Sequence, residues 1–257
     1  MESGNPVLRA RVFEQERALG GEAMTVSGAV NKCFLLLVLL VMSASWVWSR
    51  MVQPTSAFGQ ELGVGQTVAS MLPYAFGGGI AAFILGLVTA FKRDWAKVTA
   101  PLYALCNGLF IGGISAIFEM RYPGIVIQAV SLTFGTLFCM LAVYKTGLIK
   151  VNAKFMFGVA AATGAIFLVY VVNWIMSFFG LQMGFIQGSG MFGIIFSVVV
   201  VGVAALNLVL DFHLIEEGAQ YGLNKHMEWY CAWALIVTLV WLYIEMLKLL
   251  AKLRDRR

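Results

Sequence analysis

Seven long apolar runs, separated by short polar segments, follow a polar stretch at the start of the chain. About 20 apolar residues in a helix span the hydrocarbon core of a bilayer, and single runs of this length are far too long for barrel strands. The predicted spans are residues 33–51, 67–91, 101–118, 125–144, 155–179, 191–210 and 229–250. The pattern therefore predicts an all-α fold, a polytopic bundle of seven transmembrane helices.

The chain divides into three parts around these spans. Residues 1–32 form a polar N-terminal tail that carries both signs of charge, residues 33–250 form the transmembrane domain, and residues 251–257 form a basic C-terminal tail. Hydrophobic residues make up 60% of the chain and charged residues 12%. This composition excludes a water-soluble enzyme, a disordered chain and a secreted disulfide scaffold. The tail lacks the pattern of a cleaved signal peptide, so we expect it to be retained.

The distribution of basic residues predicts the orientation. With the N-terminus in the cytoplasm, that side holds eleven Lys and Arg residues: Arg9, Arg11, Arg17, Lys32, Lys92, Arg93, Lys97, Lys145, Lys150, Lys154 and Lys225. The outer loops hold two, Arg50 and Arg121. This is the positive-inside pattern, so the net charge of +5 indicates cytoplasmic loops and no nucleic-acid surface.

The C-terminal end contradicts that pattern. Seven complete spans would place five basic residues outside: Lys248, Lys252, Arg254, Arg256 and Arg257. Either the last segment folds back before crossing the membrane, or seven spans cross and the tail is an exception to the rule. Because the early loops usually dominate orientation, we keep the N-terminus inside.

Enzymatic signatures are missing from the sequence. We find no Walker, Rossmann, HExxH or GxSxG motif. The four cysteines lie in or beside apolar runs without a CxxC pair and are typical of small buried hydrophobes: Cys33, Cys106, Cys139 and Cys231. The sequence thus favours a protein that is not an enzyme and has no cofactor or confidently assigned metal site.

Two acidic residues fall within or at the end of apolar runs, where an ionisable group is costly and indicates function by default. Asp211 ends the sixth span and Glu245 lies well inside the seventh. Structural alternatives exist, because Asp211 could lie at the headgroups and Glu245 could be neutralised by Lys248 on the same helix face. Asn207, one turn before Asp211, could support the same site. If both carboxylates are buried and adjacent, they can share a proton and attract a hard cation such as Ca²⁺.

A polar motif in the third and fourth spans carries a resemblance to a known family. It comprises Tyr103-Ala-Leu-Cys-Asn-Gly-Leu-Phe-Ile-Gly-Gly-Ile-Ser115, Tyr122-Pro-Gly-Ile-Val-Ile-Gln-Ala129 and Thr133-Phe134. With Asn5-Pro6-Val7, the chain resembles the bacterial branch of the Bax inhibitor 1/YccA-like family over about residues 31–250. The resemblance implies seven helices with the last one central and wrapped by the other six. It also implies a pH-sensitive cation leak, notably for Ca²⁺, or a regulator of cell stress or membrane proteolysis.

The same resemblance implies roles for individual residues. Leu210-Asp211 matches an Asp on helix six, and Leu242-Tyr243-Ile244-Glu245 matches an Asp on helix seven, with Glu in its place. A basic residue at the end of helix two, here Lys92 or Arg93, would latch the first carboxylate. The chain departs from the family at Asn107, where a Glu is frequent.

Two hypotheses of different classes follow. The first is a pH-gated Ca²⁺ leak channel with Asp211 and Glu245 as proton-sharing gate residues, which requires helix six to continue to about Gly218 and helix seven to about Lys252. The second is a non-conducting regulator that binds a membrane protease or another membrane protein, in which the N-terminal tail serves as the binding element. A hydrolase that uses both carboxylates is a remote third. The family points to a bacterial inner membrane.

Overall fold

The computed structural model describes residues 22–52, 64–180 and 188–256. For residues 51–52 and 64–71 it describes the backbone only. Over these ranges the chain forms seven long helices: α1 Val26–Val52, α2 Val64–Phe91, α3 Ala96–Arg121, α4 Ile125–Lys145, α5 Ala153–Phe178, α6 Met191–Gln220 and α7 Met227–Asp255. A short 3₁₀ turn, Arg93–Trp95, connects α2 to α3. Every helix is long and apolar enough to cross a membrane. The predicted all-α bundle of seven helices is confirmed.

Glycine turns end or begin several helices. Gly124 has φ +80° and, with Pro123, forms the turn before α4. Gly222, with φ +63°, follows α6, where Leu223 N–H donates to Gly218 O at 3.1 Å. Only glycine adopts such left-handed backbone freely. Between the predicted spans 155–179 and 191–210, residues 181–187 lie outside the described residues.

One packing unit contains α1, α2, α3 and residues 215–237. In it, small residues let α1 and α3 approach backbone to backbone. A Cβ on Gly112 would lie 2.5 Å from the carbonyl oxygen of Ala44, and one on Gly108 would lie 2.3 Å from that of Leu40. Membrane helices usually gain packing energy by close approach over small residues. The hydrophobic effect does not drive them together, because lipid tails are as apolar as the helix surfaces.

The other unit contains α4, α5, α6 as far as Leu214 and α7 from Thr238 onwards. Within it α6 and α7 run antiparallel. The Lys252 ammonium donates to Gly193 O at 3.1 Å and to Ser197 Oγ at 2.8 Å. These two contacts set the register between the helices, because they bring the end of α7 against the beginning of α6.

The seventh helix is the most buried of the seven described. Of the residues in its most apolar stretch, 56% are buried, compared with 11% in α5. Strong burial is the property expected of a central last helix. The helix is also continuous to Asp255, so the alternative in which the last segment folds back does not describe it. Two of the basic residues near its end are engaged inside the fold, Lys248 with Glu245 and Lys252 with Ser197.

Candidate functional site

Asp211 lies inside a helix and not at its end. Helix α6 continues nine residues beyond it to Gln220, and α7 reaches Asp255, so both length conditions for an intramembrane site are met. The hydroxyl of Thr238 on α7 donates to the Asp211 carboxylate. Its second oxygen, Oδ2, is buried and has no hydrogen-bond partner among the described residues. One oxygen of the Asp211 carboxylate therefore has a hydrogen-bond donor. The other, which we call the open oxygen, has none among the described residues.

Asn207 extends this polar cluster along α6. Its Nδ2 donates to Thr163 Oγ1 on α5 at 2.8 Å and to Val203 O at 2.9 Å. Asn207 and Asp211 are four residues apart and share one helix face. Amides that bond across helices hold membrane bundles together, so Asn207 ties α5 to the face that carries Asp211.

Glu245 lies in a separate polar cluster farther along α7. Its side chain is 2% exposed and accepts hydrogen bonds from Tyr170 Oη on α5, at 3.1 and 3.0 Å to its two oxygens. Lys248 Nζ lies 2.6 Å from Oε1 and 4.7 Å from the centroid of the Tyr170 ring. The expectation that Lys248 neutralises Glu245 on the same helix face agrees with this geometry. Both oxygens of the Glu245 carboxylate thus have hydrogen-bond donors, the Tyr170 hydroxyl for both and the Lys248 ammonium for Oε1.

The two carboxylates bond to different partners. Asp211 bonds to Thr238, which precedes Glu245 by seven residues on α7. At 1.5 Å per residue, Thr238 and Glu245 are separated by about 10 Å along the helix axis. A proton shared directly between Asp211 and Glu245 requires a contact of hydrogen-bond length, and the described contacts do not provide it. The antiparallel register set by Lys252 against Gly193 and Ser197 is the physical reason.

Lys92 and Arg93 follow the end of α2 directly. Lys92 N–H donates to Val88 O at 2.8 Å, and its ammonium lies 4.8 Å from the Trp95 ring. The Arg93 guanidinium lies 5.4 Å from the ring of Tyr230. Both cations thus lie over aromatic faces. The latch between one of them and Asp211 stays a prediction.

Sequence reasoning missed several members of these clusters. Tyr170, Ser197 and Thr238 are single polar residues in apolar runs, and nothing in their local sequence distinguishes them from packing residues. Lys252 was counted with the basic tail, although its side chain is buried. Among the residues that the structure describes, no three His, Cys, Asp or Glu side chains group as a metal site would need.

Comparison with protein families identifies the family to which this chain belongs. The profile of the family described as Bax inhibitor 1 like matches residues 5–255, nearly the whole chain. The chain belongs to this family. The comparison with curated proteins found no match, and neither did the comparison with solved structures.

Membership in the Bax inhibitor 1 like family, together with seven apolar helices, makes the chain an integral, multi-pass membrane protein. The resemblance drawn from the motif in the third and fourth spans is confirmed at the level of the family. The bacterial branch stays a prediction.

Proposed function

We propose that the protein is a pH-sensitive cation leak pathway, with Ca²⁺ as the expected permeant ion and with Asp211 and Glu245 as its acidic gate residues. We place it in a cell membrane, by the family resemblance a bacterial inner membrane, with the N-terminus in the cytoplasm. The proposal needs no catalytic group and no cofactor. Lys92 or Arg93 is the proposed counter-charge.

The open oxygen of Asp211 carries the proposal. An ionised carboxylate with a buried, unpaired oxygen is costly in an apolar bundle, and either a proton or a bound cation removes the cost. Protons and cations therefore compete for the same oxygen, which makes occupancy depend on pH. Because the carboxylates have separate partners, we propose two separate acidic groups, Asp211 on α6 and Glu245 on α7, and not one proton-sharing pair.

The proposal is tested by Ca²⁺ flux into proteoliposomes across the physiological range of pH, from about pH 5 to about pH 8. Wild type is compared with Asp211→Asn, Glu245→Gln and the double variant. Glu216→Gln, an exposed change on the same helix as Asp211, is the matched control. Flux that varies with pH in wild type and control, and loses that dependence in Asp211→Asn, is the expected result. An unchanged profile in Asp211→Asn rejects the gate, and absence of flux from folded protein rejects conduction.

A second candidate function is a non-conducting regulator that binds a membrane protease or another membrane protein through its N-terminal tail. The observation that favours it is the attachment of residues 22–25 to the turn between α6 and α7, where Met24 N–H donates to Leu223 O at 2.7 Å. Pull-down with and without residues 1–21 discriminates, because a pore needs no tail for flux.

A further inference from the structure

The Lys248 ammonium is held by the carboxylate of Glu245 and by the phenol of Tyr170. It donates to Glu245 Oε1 at 2.6 Å and to Tyr170 Oη at 3.4 Å, and it lies 4.7 Å from the centroid of the Tyr170 ring. The Tyr170 hydroxyl donates in turn to both carboxylate oxygens. We call these three side chains, Tyr170 on α5 with Glu245 and Lys248 on α7, the Glu245 cluster.

The two members of the ion pair differ in exposure. The Glu245 side chain is 2% exposed, whereas that of Lys248 is 36% exposed. Lys248 follows Met227, the first residue of α7, by 21 residues, or about 32 Å along the helix axis. Since the hydrocarbon core is about 30 Å thick, the ammonium lies near the headgroups at the far end of the helix. A lysine stem is flexible and carries its charge to water at such a surface, so the ammonium can leave while the carboxylate cannot.

Departure of the ammonium leaves a carboxylate that needs another positive charge, because a buried charge without a partner is costly. Glu245 and Tyr170 then offer two carboxylate oxygens and one hydroxyl oxygen, and water can complete the ligand set from the exposed side. Oxygen atoms of this kind are the ligands of hard cations such as Ca²⁺. A site with one carboxylate binds weakly, and weak binding allows an ion to leave as well as to enter.

The next ammonium along α7 has other partners. Lys252 donates to Gly193 O at 3.1 Å and to Ser197 Oγ at 2.8 Å, both on α6. These bonds hold Lys252 against α6. The ammonium paired with the Glu245 carboxylate is therefore that of Lys248.

We propose that Lys248 is a tethered cation that occupies a divalent-cation site formed by Glu245 and Tyr170, and that a mobile cation such as Ca²⁺ binds there by displacing the ammonium. Because the ammonium is attached to the same helix as Glu245, its effective concentration at the carboxylate is high, and it holds the site closed at low cation concentration. The inference rests on the proposed function, since it names the regulation of one of its two acidic groups. Its own readouts are displacement and binding, and neither depends on ion flux.

Displacement of the ammonium is tested on the wild-type chain in lipid nanodiscs. An amine-reactive ester labels lysines, and peptide mass spectrometry compares labelling in about 10 mM Ca²⁺, roughly tenfold above the dissociation constants of the weakest protein calcium sites, with K⁺ at equal ionic strength. Ca²⁺ should speed labelling of Lys248 and leave Lys252 unchanged. In Glu245→Gln, Lys248 should label fast without Ca²⁺, and Ca²⁺ should add nothing. Labelling of wild-type Lys248 that is equal in Ca²⁺ and K⁺ overturns the proposal.

Affinity is tested by the thermal stabilisation that Ca²⁺ gives to the full chain in detergent, because a ligand that binds the folded state raises the unfolding temperature. Lys248→Met should lower the apparent Kd for Ca²⁺ by about tenfold or more, the factor that corresponds to one lost charged hydrogen bond. Lys248→Gln keeps an N–H donor beside the carboxylate and is the milder variant with the same expected direction. Arg254→Met is the matched control, because it removes a positive charge from the same end of α7, where Arg254 bonds to Gln128 at 3.2 Å. This control should leave the Kd unchanged.

Double variants assign the gain in affinity to one carboxylate. The gain should vanish when Glu245→Gln is added to Lys248→Met and persist when Asp211→Asn is added, since Asp211 bonds to Thr238 and not to Lys248. An unchanged Kd in both folded Lys248 variants overturns the proposal, as does a gain that survives Glu245→Gln. Ca²⁺ flux separates this result from the proposed function. Tighter binding without a change in flux supports the site and rejects Glu245 as a gate residue, whereas a leak without tighter binding rejects the tethered cation alone.

Discussion

The hydroxyl of Thr238 on α7 donates to the carboxylate of Asp211 on α6, and Asp211 Oδ2 stays buried without a hydrogen-bond partner among the described residues. A hydroxyl, and not a second carboxylate, is therefore the partner of the acidic group in helix six.

Removal of this hydroxyl gives the first prediction. Thr238→Val keeps the shape of the side chain and leaves the buried carboxylate without its donor, which costs about 1–3 kcal/mol of stability. Thermal unfolding in detergent measures the loss. Thr136→Val is the control, because Thr136 Oγ1 donates to Leu132 O of its own helix. Asp211→Asn should make the Thr238→Val change smaller, and two additive changes would contradict the bond.

The cluster around Glu245 gives the second prediction. Tyr170→Phe removes the hydroxyl that donates to both Glu245 oxygens. The free energy of unfolding should fall by about 1–2 kcal/mol. Adding Glu245→Gln should weaken the effect, since the acceptor is then uncharged. A double-mutant cycle of unfolding free energies measures this interaction. A coupling near zero would mean that the phenol does not stabilise the carboxylate.

The contact between Lys252 and Ser197 gives a prediction in which the two partners differ. Replacing Lys252 should not lower stability, whereas replacing Ser197 should. Lys252→Met keeps the stem and removes a buried cation, and buried charges replaced by apolar groups of similar volume often leave stability unchanged or higher. Ser197→Ala keeps the cation and removes an acceptor, so stability should fall by about 1–2 kcal/mol. Unfolding temperatures of the two variants decide, and a larger loss in Lys252→Met than in Ser197→Ala would contradict the argument.

The glycines of α3 give a prediction about helix packing. Gly112→Ala forces a Cβ against the backbone of Ala44 and should destabilise the protein by about 1–3 kcal/mol or more, because neither helix backbone can yield cheaply. Gly135→Ala on α4 meets open space and should be neutral or stabilising by about 0.5–1 kcal/mol. Yield of folded protein and unfolding temperature report both. Equal behaviour of the two variants would mean that α1 and α3 are not in close contact.

An odd number of spans gives a prediction about sidedness. In a background with the four native cysteines replaced by serine, Ala23→Cys and Asp255→Cys should react with an impermeant maleimide from opposite sides of the membrane. Both positions are exposed in the structure. Labelling of both from one side would contradict seven complete spans, and labelling of Ala23→Cys from outside would contradict the proposed orientation.

Hydrophobic patterning alone was enough to predict the number and rough position of the helices. The apolar run ended at Leu210, however, and α6 ends at Gln220, because residues after Asp211 stay helical until Gly222 turns the chain. Helix ends in a membrane protein depend on turn chemistry and partners outside the apolar run, so they extend past the hydropathy boundary.

The candidate site was predictable only as far as its acidic residues. Asp211 and Glu245 attract attention because charges in apolar runs are rare. Their hydrogen-bond partners are set by how neighbouring helices align. Tyr170, which donates to Glu245, is 75 residues away from it in the sequence. No local pattern encodes that distance.

A Cβ on Gly28 would lie 2.2 Å from Glu228 Oε1, and this close fit bears on how the first helix tolerates mutation. Most of α1 presents apolar side chains such as Phe34 and Met42 to the surroundings, and these should accept many replacements. Gly28 has no side chain to remove, and the Glu228 carboxylate leaves no room for even one added carbon. A saturation-mutagenesis map of α1 should consequently show one of its most restricted positions at the residue without a side chain.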